Sequence, residues 1–341
     1  MTKGARLPRF SVLVPMRNAA ATIEETLASV QGQTVEAWEA VVVDDGSDDG
    51  CAELVRRCAV SDDRIHLYSH PRGEHLGTPA TRNRTIAEAG GEFLAFLDAD
   101  DLFLPDALAA YARGLEQHPS ASVVYGRAET FGNAEPPREI GRGIPDRPAG
   151  LFRQLVSENV LATSATVVRA ASVPEAPYPP WMNLSQDWAL WVLLARSGSF
   201  VYLNRVVSRY RVHAASVTSR MRERKSDVKF ELDQARFLRG LLEDLRSTGE
   251  DAHEAVTLTP VEQATALRAG LEDRAMRAAL RAAGALRQGR VAEAARWMGA
   301  ALSIAPSMAS AVRAMKRAPA ERRRMLAGDD PLLDERADIF P

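Results

Sequence analysis

Residues 92–101, Glu-Phe-Leu-Ala-Phe-Leu-Asp-Ala-Asp-Asp, decide the fold of this 341-residue chain. An apolar run of strand length ends directly at three carboxylates, and such a run is typical of a strand buried on both faces of a parallel α/β sheet. Ligands bind at the carboxyl ends of these strands, where clustered carboxylates favour a cation. Asp98 and Asp100 are therefore predicted to form a site for a divalent metal and a nucleotide diphosphate. An Asp-rich turn or helix cap is the alternative.

Two earlier segments repeat this pattern of a buried strand with a polar end. Residues 11–15 predict a first strand, and residues 41–43 predict a second that ends in carboxylates. Between them lies a helical pattern in which Thr22 and Glu25 fit a capping box. Alternating strands and helices of this length imply right-handed β-α-β units. The predicted fold class is α/β with a mostly parallel central sheet, and two strands then deliver carboxylates to one edge.

The chain contains six short motifs in a fixed order. They are Ser11-Val-Leu-Val-Pro15, Val41-Val-Val-Asp44-Asp45-Gly46-Ser47, Thr81-Arg82-Asn83, Leu97-Asp98-Ala99-Asp100-Asp101, Gln186-Asp187-Trp188 and Tyr210-Arg211-Val212-His213. In order and spacing these motifs resemble the inverting family 2 glycosyltransferases with a GT-A fold, over roughly residues 9–220. Three positions depart from the family pattern: Thr81 replaces a small residue, Arg84 replaces a common Gly, and Gln186 leaves one carboxylate in a usual acidic pair.

The resemblance implies a donor site in which Asp44 reads the base, Asp98 contacts the ribose, and Asp100 binds Mg²⁺ or Mn²⁺ with His213 as a second ligand. From the residues alone, other readings stay open. Asp44 also fits an Asx turn, Arg82 a surface salt bridge, and His213 a structural or exposed imidazole. The donor contacts implied as a set are Pro15, Arg17, Asp44, Arg82, Asp98, Asp100 and Arg211.

The resemblance also implies that Asp187 is the general base. Residues 186–194 open a helix for which Ser185 is a good N-cap, and the helix dipole favours an acid in that first turn. Asp187 therefore also fits a role limited to stabilising the helix end. Trp188 and Trp191 are predicted to pack in the core, whereas Trp181 is the better candidate for stacking on an acceptor.

These implications predict a metal-dependent, inverting glycosyltransferase. Its donor is a nucleoside-diphosphate sugar of the UDP or dTDP type, and its acceptor an unidentified glycan, lipid-linked, peptide or small molecule. One alternative is a nucleotidyltransferase on a related fold, although residues 15–18 lack the Gly-rich phosphate loop that such an enzyme ordinarily carries. The other is a helical interaction protein with a degenerate transferase domain, against which the intact carboxylates argue.

The amino-acid composition further restricts the class of protein. Lys and Arg number 43 against 45 Asp and Glu, and this balance argues against a nucleic-acid partner. No stretch approaches 18 apolar residues and no secretory leader is recognisable, so a soluble cytoplasmic protein is expected. Cys51 and Cys58 are predicted to lie on one helix, too far apart for a disulfide, and to stay reduced.

The chain is predicted to divide into a catalytic domain (1–225), a helical appendage similar to a tetratricopeptide repeat (226–320) and a charged, loosely ordered tail (321–341). Within the appendage, Thr259 to Glu262 predict a capped helix start, and Gly289 separates two helical stretches. Ala-rich helices with more than one apolar face need a partner surface, which predicts a homodimer.

Three further segments carry open interpretations. Residues 132–150 and 172–182 are rich in Pro and Gly and are predicted to be loops bordering an acceptor groove. The first is either a lid over bound donor or a passive connector. The basic residues between 313 and 324 fit a solvated helix face or a peripheral contact with an anionic membrane.

Overall fold

The computed structural model describes residues 9–133, 136–141, 148–182, 184–213, 228–247 and 259–305. The chain forms two compact units. An α/β unit contains residues 1–148 and 160–213, and a helical unit contains residues 149–159 and 214–341. The predicted domain boundary at residue 225 lies outside the described residues, and the predicted division stays a prediction.

The first half of the sheet is parallel and buried. Strands β1 to β4 lie in the order β3-β2-β1-β4, all parallel to their neighbours. Helices connect them, as the alternating pattern predicts, and all four residues of β4 are buried. The bounds are β1 Phe10–Met16, α1 Ile23–Gln31, β2 Trp38–Asp44, α2 Cys51–Ser61, β3 Ile65–Ser69, α3 Thr78–Glu88 and β4 Phe93–Phe96.

Beyond β4 the sheet becomes mixed. It continues in the order β4-β8-β6-β9-β5, and β8 lies antiparallel to both of its neighbours, β4 and β6. The fold class is confirmed as α/β, with the parallel part confined to the N-terminal strands and to the β6–β9 pair. The bounds are β5 Leu102–Phe103, α4 Ala107–Gln117, β6 Ala121–Gly132, β7 Glu139–Ile140, α5 Pro148–Ser157, β8 Thr166–Arg169, α6 Gln186–Ser197 and β9 Ser199–Val212.

The tryptophans of α6 belong to the core, as predicted. Trp188 and Trp191 are both fully buried, and the Trp191 ring meets Phe96 of β4 edge-on with centroids 5.5 Å apart. This packing places the first turn of α6 beside the end of β4, where the predicted site lies.

The two cysteines are free thiols, also as predicted.

The predicted capping box of α1 is wrong. Thr22 is the N-cap residue, but its side chain makes no capping hydrogen bond. The Thr22 hydroxyl instead donates to the carbonyl of Ala99 at 2.8 Å, and Thr26 on the next turn donates to the same oxygen at 3.0 Å. The hydroxyl thus donates to a tertiary acceptor and does not accept the N–H of Glu25, and α1 is thereby attached to the loop after β4.

The helical unit contains α5 together with three longer helices. Thr259 and Glu262 form the predicted capping box, with Pro260 in the first turn. Gly289 has φ +71° in the turn between the last two helices, a conformation that glycine adopts without strain. The bounds are α7 Val228–Ser247, α8 Pro260–Arg287 and α9 Val291–Ile304.

Buried charges and a close helix contact hold this unit together. Arg274 on α8 is fully buried and donates to the Gln234 side chain at 3.0 Å and to the Val156 carbonyl of α5 at 2.5 Å. One turn earlier on α8, Gly270 packs so tightly that an added Cβ would lie 2.2 Å from the Val156 side chain. Buried Glu231 on α7 pairs with Arg277 at 3.1 Å.

Among the described residues, no helix is long and apolar enough to cross a lipid bilayer. The predicted basic run between residues 313 and 324 and the predicted tail at 321–341 lie outside the described residues. The predicted loop at 132–150 is described only in part, and its described portion contains β7 and the start of α5.

Candidate functional site

The predicted site residues converge on one edge of the α/β unit, because parallel strands end there together. Met16 at the end of β1 is in register with Asp44 at the end of β2, and Leu13 of β1 pairs with Phe96 of β4. The turn after β1, Asp44 and the Asp98–Asp101 loop therefore follow three adjacent strands.

Asp44 forms the Asx turn that the sequence left open as an alternative. Its carboxylate accepts the backbone N–H of Ser47 at 3.2 Å and also the Ser47 hydroxyl. The Ser47 hydroxyl in turn accepts the N–H of Asn18 at 3.0 Å, which joins this turn to the one after β1. The half-buried Asp44 carboxylate is thus held at the edge, and its predicted contact with a base stays a prediction.

Asp45, which sequence reasoning did not assign, organises the neighbouring loop. Its buried carboxylate accepts the backbone N–H of Leu76 at 2.8 Å and that of Gly77 at 3.1 Å. It also contacts Nδ1 of His75 at 2.7 Å, while Nε2 of His75 lies 2.7 Å from the guanidinium of Arg17. Since arginine only donates, Nε2 accepts and Nδ1 carries the proton. This chain of bonds fixes Arg17, a predicted donor contact.

Replacing Asp45 with alanine is expected to lower the free energy of unfolding by roughly 1–3 kcal/mol, because the backbone N–H groups of Leu76 and Gly77 and the imidazole of His75 would lose their charged acceptor. Denaturant unfolding followed by circular dichroism measures this. Asp48→Ala, at an exposed position in the same loop, is the control and should stay within about 0.5 kcal/mol of wild type. Equal stability of both variants would contradict the structural role of Asp45.

Buried Arg82 forms an ion pair with half-buried Asp98. Arg82 on α3 is 6% exposed and donates from Nη2 to Asp98 at 2.6 Å, so the surface salt bridge considered from sequence is wrong. Burial lowers the pKa of Arg82, but the charges of Asp98, Tyr178 and Asp187 outweigh it and raise that pKa above its ordinary value. Burial raises the pKa of Asp98, against the opposing charge of Arg82, and Asp100 and Asp187 raise it further.

Polar groups of all four residues of the Asp98–Asp101 loop have hydrogen-bond partners in the α/β unit. The Ala99 carbonyl accepts the two threonine hydroxyls of α1, and the Asp98 N–H donates to the Ser164 hydroxyl at 3.2 Å. The Asp100 carbonyl accepts from Nε of Arg211 at 2.8 Å. Buried Asp101 accepts the Ser164 hydroxyl at 2.5 Å and the Arg211 N–H at 2.8 Å. The loop is held rigidly before any ligand binds.

The Arg211 side chain is bound to two other parts of the protein and does not simply project into the donor site. Besides its bond to the Asp100 carbonyl, its guanidinium donates to Glu25 on α1. Its predicted contact with the donor stays a prediction. In the structure Arg211 ties the end of β9 to α1 and to the aspartate loop, which brings the next motif residue, His213, to that loop.

His213 and Asp100 meet as the sequence predicts. Nε2 of His213 lies 2.9 Å from Oδ2 of Asp100, and each side chain is about one third exposed. Burial raises the pKa of Asp101 well above its ordinary range, and the charges of Asp100 and Asp98 raise it further. The second effect shows that negative charge is concentrated in this loop.

This donor set fits a hard divalent cation. One carboxylate and one imidazole, both partly open to solvent, leave room for diphosphate oxygens and waters, and Mg²⁺ in particular keeps several such ligands. Within the described ranges, no group of three or more His, Cys, Asp or Glu residues lies close enough to hold a metal unaided. A cation here would therefore depend on its substrate for part of its coordination.

Asp187 lies in the first turn of α6, as predicted. Ser185 occupies the N-cap position in a left-handed conformation (φ +57°) without a capping hydrogen bond from its side chain. The Asp187 carboxylate instead accepts the hydroxyl of Thr163 at 2.9 Å. The next residue, Ser164, accepts the Asp98 N–H at 3.2 Å, so one turn brings the two carboxylates to the same site, and the charge of Asp187 raises the pKa of Asp98.

Two more contacts on the same side were not foreseen. The Asn83 side chain, from the Thr-Arg-Asn motif, exchanges two hydrogen bonds with the backbone of Tyr178, at 2.8 and 3.0 Å. Tyr178 is fully buried beside Arg82, and burial raises its pKa. The segment 172–182, which includes half-buried Trp181, is therefore anchored to α3 and not a free connector.

The sequence of this chain is similar to those of known proteins. Residues 11–173 match the model of "Glycosyl transferase family 2". TuaG of Bacillus subtilis, named as a teichuronic acid biosynthesis glycosyltransferase, is 28% identical over 213 residues, 62% of this chain and 82% of TuaG. WfgD of Escherichia coli, named as a UDP-Glc:alpha-D-GlcNAc-diphosphoundecaprenol beta-1,3-glucosyltransferase, is 27% identical over 211 residues, 61% of this chain and 79% of WfgD.

Among solved structures, S. aureus TarS residues 1–349 in complex with UDP-GlcNAc has a similar fold. The TM-score is 0.65 at 18% identity, and the superposition covers 93% of this chain and 86% of that one. At this identity the likeness concerns the fold, whereas the family match and the named relatives concern the activity and favour sugar transfer over nucleotidyl transfer. Residues 11–173 are therefore a glycosyltransferase domain of family 2, and the α/β unit that contains them has a GT-A fold.

Proposed function

We propose that the protein transfers a sugar, with inversion, from a UDP- or dTDP-linked donor to a hydroxyl of a lipid-linked glycan. The observation that carries this proposal is the meeting of three groups at one sheet edge: the Arg82–Asp98 pair, the Asp100–His213 pair and Asp187. The activity for which WfgD is named supports this acceptor class, since its acceptor is a diphosphoundecaprenol-linked sugar.

The donor is proposed to lie across the ends of β1, β2 and β4. Pro15, Arg17 and Asp44 would surround the base, since a carboxylate accepts the N–H of a uracil or thymine ring. The Asp98 carboxylate, fixed by Arg82 at 2.6 Å, would accept a ribose hydroxyl. The rigid hold on this edge supports binding, because little side-chain order has to be created when the donor arrives.

Asp100 and His213 would hold Mg²⁺ or Mn²⁺ together with the donor diphosphate. When bound, the cation supplies Lewis-acid stabilisation of the negative charge that develops on the departing nucleoside diphosphate. Arg211, which donates to the Asp100 carbonyl, keeps the aspartate loop and the end of β9 together so that both ligands face one point.

Asp187 would remove the proton of the acceptor hydroxyl. The acceptor oxygen then forms a bond to the anomeric carbon from the face opposite the diphosphate, while the bond from that carbon to the phosphate oxygen breaks. The electron pair leaves with the nucleoside diphosphate and the proton stays on Asp187. A carboxylate with one oxygen bonded to Thr163 is held in place for this transfer.

The test of this function is a donor screen with a defined acceptor. Thermal shift in Mn²⁺ selects the nucleotide sugars that bind, and each is then incubated with a polyprenyl-diphosphate-linked monosaccharide. Acceptor-dependent release of nucleoside diphosphate, with a β-linked product from an α-linked donor, is expected. Release of inorganic pyrophosphate would instead indicate nucleotidyl transfer, and no acceptor-dependent release with any donor would contradict the proposal.

Homodimerisation through residues 226–320 is proposed from the helical unit. Val291, Met298 and Leu302 are 67%, 40% and 45% exposed and share one face of α9. Light scattering at micromolar concentration should give twice the monomer mass, and Leu302→Glu should reduce it to the monomer mass. Val60→Glu, at a 90% exposed position on α2, is the control and should remain dimeric. A monomeric wild-type protein would refute this proposal. Peripheral membrane contact through the basic run stays a prediction.

A further inference from the structure

Two consecutive hydroxyl side chains contact the two halves of the site. Thr163 and Ser164 lie in a 3₁₀ turn, Thr163–Ala165, directly before β8. The Thr163 hydroxyl donates to Oδ2 of Asp187 at 2.9 Å. The Ser164 hydroxyl donates to Asp101 at 2.5 Å and accepts the N–H of Asp98 at 3.2 Å. One short turn thus joins the carboxylate on α6 to the aspartate loop after β4.

The sheet itself fixes this turn. Because β8 is antiparallel to β4, with Val167 opposite Ala95, the residues before β8 lie beside the end of β4. Two bonds to the Ala162 carbonyl close the turn, from the Ala165 N–H at 3.0 Å and from the Thr166 hydroxyl at 2.9 Å. Neither hydroxyl can shift far without displacing the central strand of the sheet.

We infer that Thr163 and Ser164 form a positioning element, in which Thr163 orients Asp187 toward the acceptor and Ser164 fixes the aspartate loop relative to it. This inference rests on the proposed role of Asp187 as the base. The last torsion of an aspartate is broad, so one bond from a fixed hydroxyl selects its orientation. Proton transfer needs the receiving oxygen within about 2.6–3.2 Å, and a misplacement of about 1 Å costs on the order of 10²-fold in rate.

The charge of Asp187 interacts with Arg82, Asp98 and Tyr178. These electrostatic interactions depend little on how the carboxylate is rotated. The hydroxyl of Thr163, in contrast, acts through one directed hydrogen bond. Removing the Thr163 hydroxyl should therefore release the Asp187 carboxylate from this one orientation.

The experiment compares kinetic constants of matched variants. Thr163→Val should lower kcat by roughly 10–100-fold, the worth of a hydrogen bond to a charged group, with the donor KM unchanged. Thr163→Ser should restore most of kcat. Ser164→Ala should show the other pattern, a higher donor KM with a smaller change in kcat. Thr265→Val, at an exposed position of α8 where the hydroxyl donates to the Val261 carbonyl, is the matched control and should leave both constants near wild type.

A second readout does not depend on transfer. In protein labelled with ¹³C at the aspartate carboxyls, the Asp187 signal is assigned by its loss in Asp187→Asn. Thr163→Val should shift that signal, because the carboxylate loses its hydrogen-bond donor, and Thr265→Val should leave it in place. In the Asp187→Asn background, Thr163→Val should cause no further loss of kcat.

The outcomes separate this inference from the proposed function. Wild-type kcat and an unshifted Asp187 carboxyl signal in Thr163→Val would overturn the positioning role while Asp187 remains the base. If Asp187→Asn is fully active, the base assignment fails, and if no nucleotide sugar supports transfer, the proposed function fails. In either case the carboxyl signal still decides whether Thr163 controls the Asp187 carboxylate.

Discussion

Replacing Asp187 with asparagine is expected to lower turnover by roughly 10²–10⁴-fold, the usual contribution of a positioned base. Asparagine keeps nearly the same shape and an oxygen that can accept the Thr163 hydroxyl, so the first turn of α6 should fold as before. It cannot take up a proton at neutral pH. Because Asp187 is proposed to act on the acceptor, affinity for the nucleotide sugar should change little.

Two measurements separate these effects. Calorimetric titration with nucleoside diphosphate and metal reports donor-site binding, and initial rates at saturating donor report turnover. Asp44→Ala is the matched contrast, because it should weaken nucleotide binding first. Near wild-type turnover in Asp187→Asn would place the base elsewhere and leave the carboxylate with only a structural role in α6.

Removing the proposed cation should have a comparable effect. Excess chelator, or Asp100→Ala, is expected to reduce transfer by roughly 10³-fold or more, since a Lewis acid contributes several kcal/mol to a transition state with developing diphosphate charge. Asp100→Ala should also weaken donor binding in the presence of metal, while its binding in chelator should match that of wild type.

The control for this experiment is Asp106→Ala, which removes a half-exposed carboxylate paired with Arg205 at 2.7 Å, outside the aspartate loop. It should keep the wild-type response to chelator and to added Mn²⁺. Unchanged transfer by wild-type protein in excess chelator would exclude a metal requirement, whatever the behaviour of Asp100→Ala.

The sequence predicts the strands and the convergence of the acidic residues because both depend on local pattern and on one general rule. A buried apolar run followed by carboxylates places Asp44 and Asp98 at strand ends, and parallel pairing then brings those ends together. The packing of Trp188 and Trp191 follows in the same way from helical periodicity. The pairing of His213 with Asp100 came from the family motif and from no local signal.

Other contacts could not be predicted because they depend on residues distant in the chain. The Thr22 hydroxyl has a local capping partner available, but it donates to Ala99 once the sheet places that carbonyl within reach. Thr163 and Ser164 stand in an Ala-Thr-Ser-Ala stretch with nothing to mark it, since short hydroxyl residues are common in turns. Only the antiparallel insertion of β8 gives them their partners. The role of Asp45 could not be predicted for the same reason, since its hydrogen-bond partners lie in a distant loop.

Helix α5 has a consequence for how the chain folds during synthesis. Its apolar side chains Leu151, Phe152 and Leu155 are buried in the complete molecule, and Val156 meets Gly270 and Arg274 of α8. The ribosome takes roughly 5–20 s to make the chain between residues 156 and 270, at typical rates. For that interval the apolar face of α5 lacks these partners, so the growing chain should be a client of chaperones. Chains that end before α8 should aggregate more readily than the full-length protein.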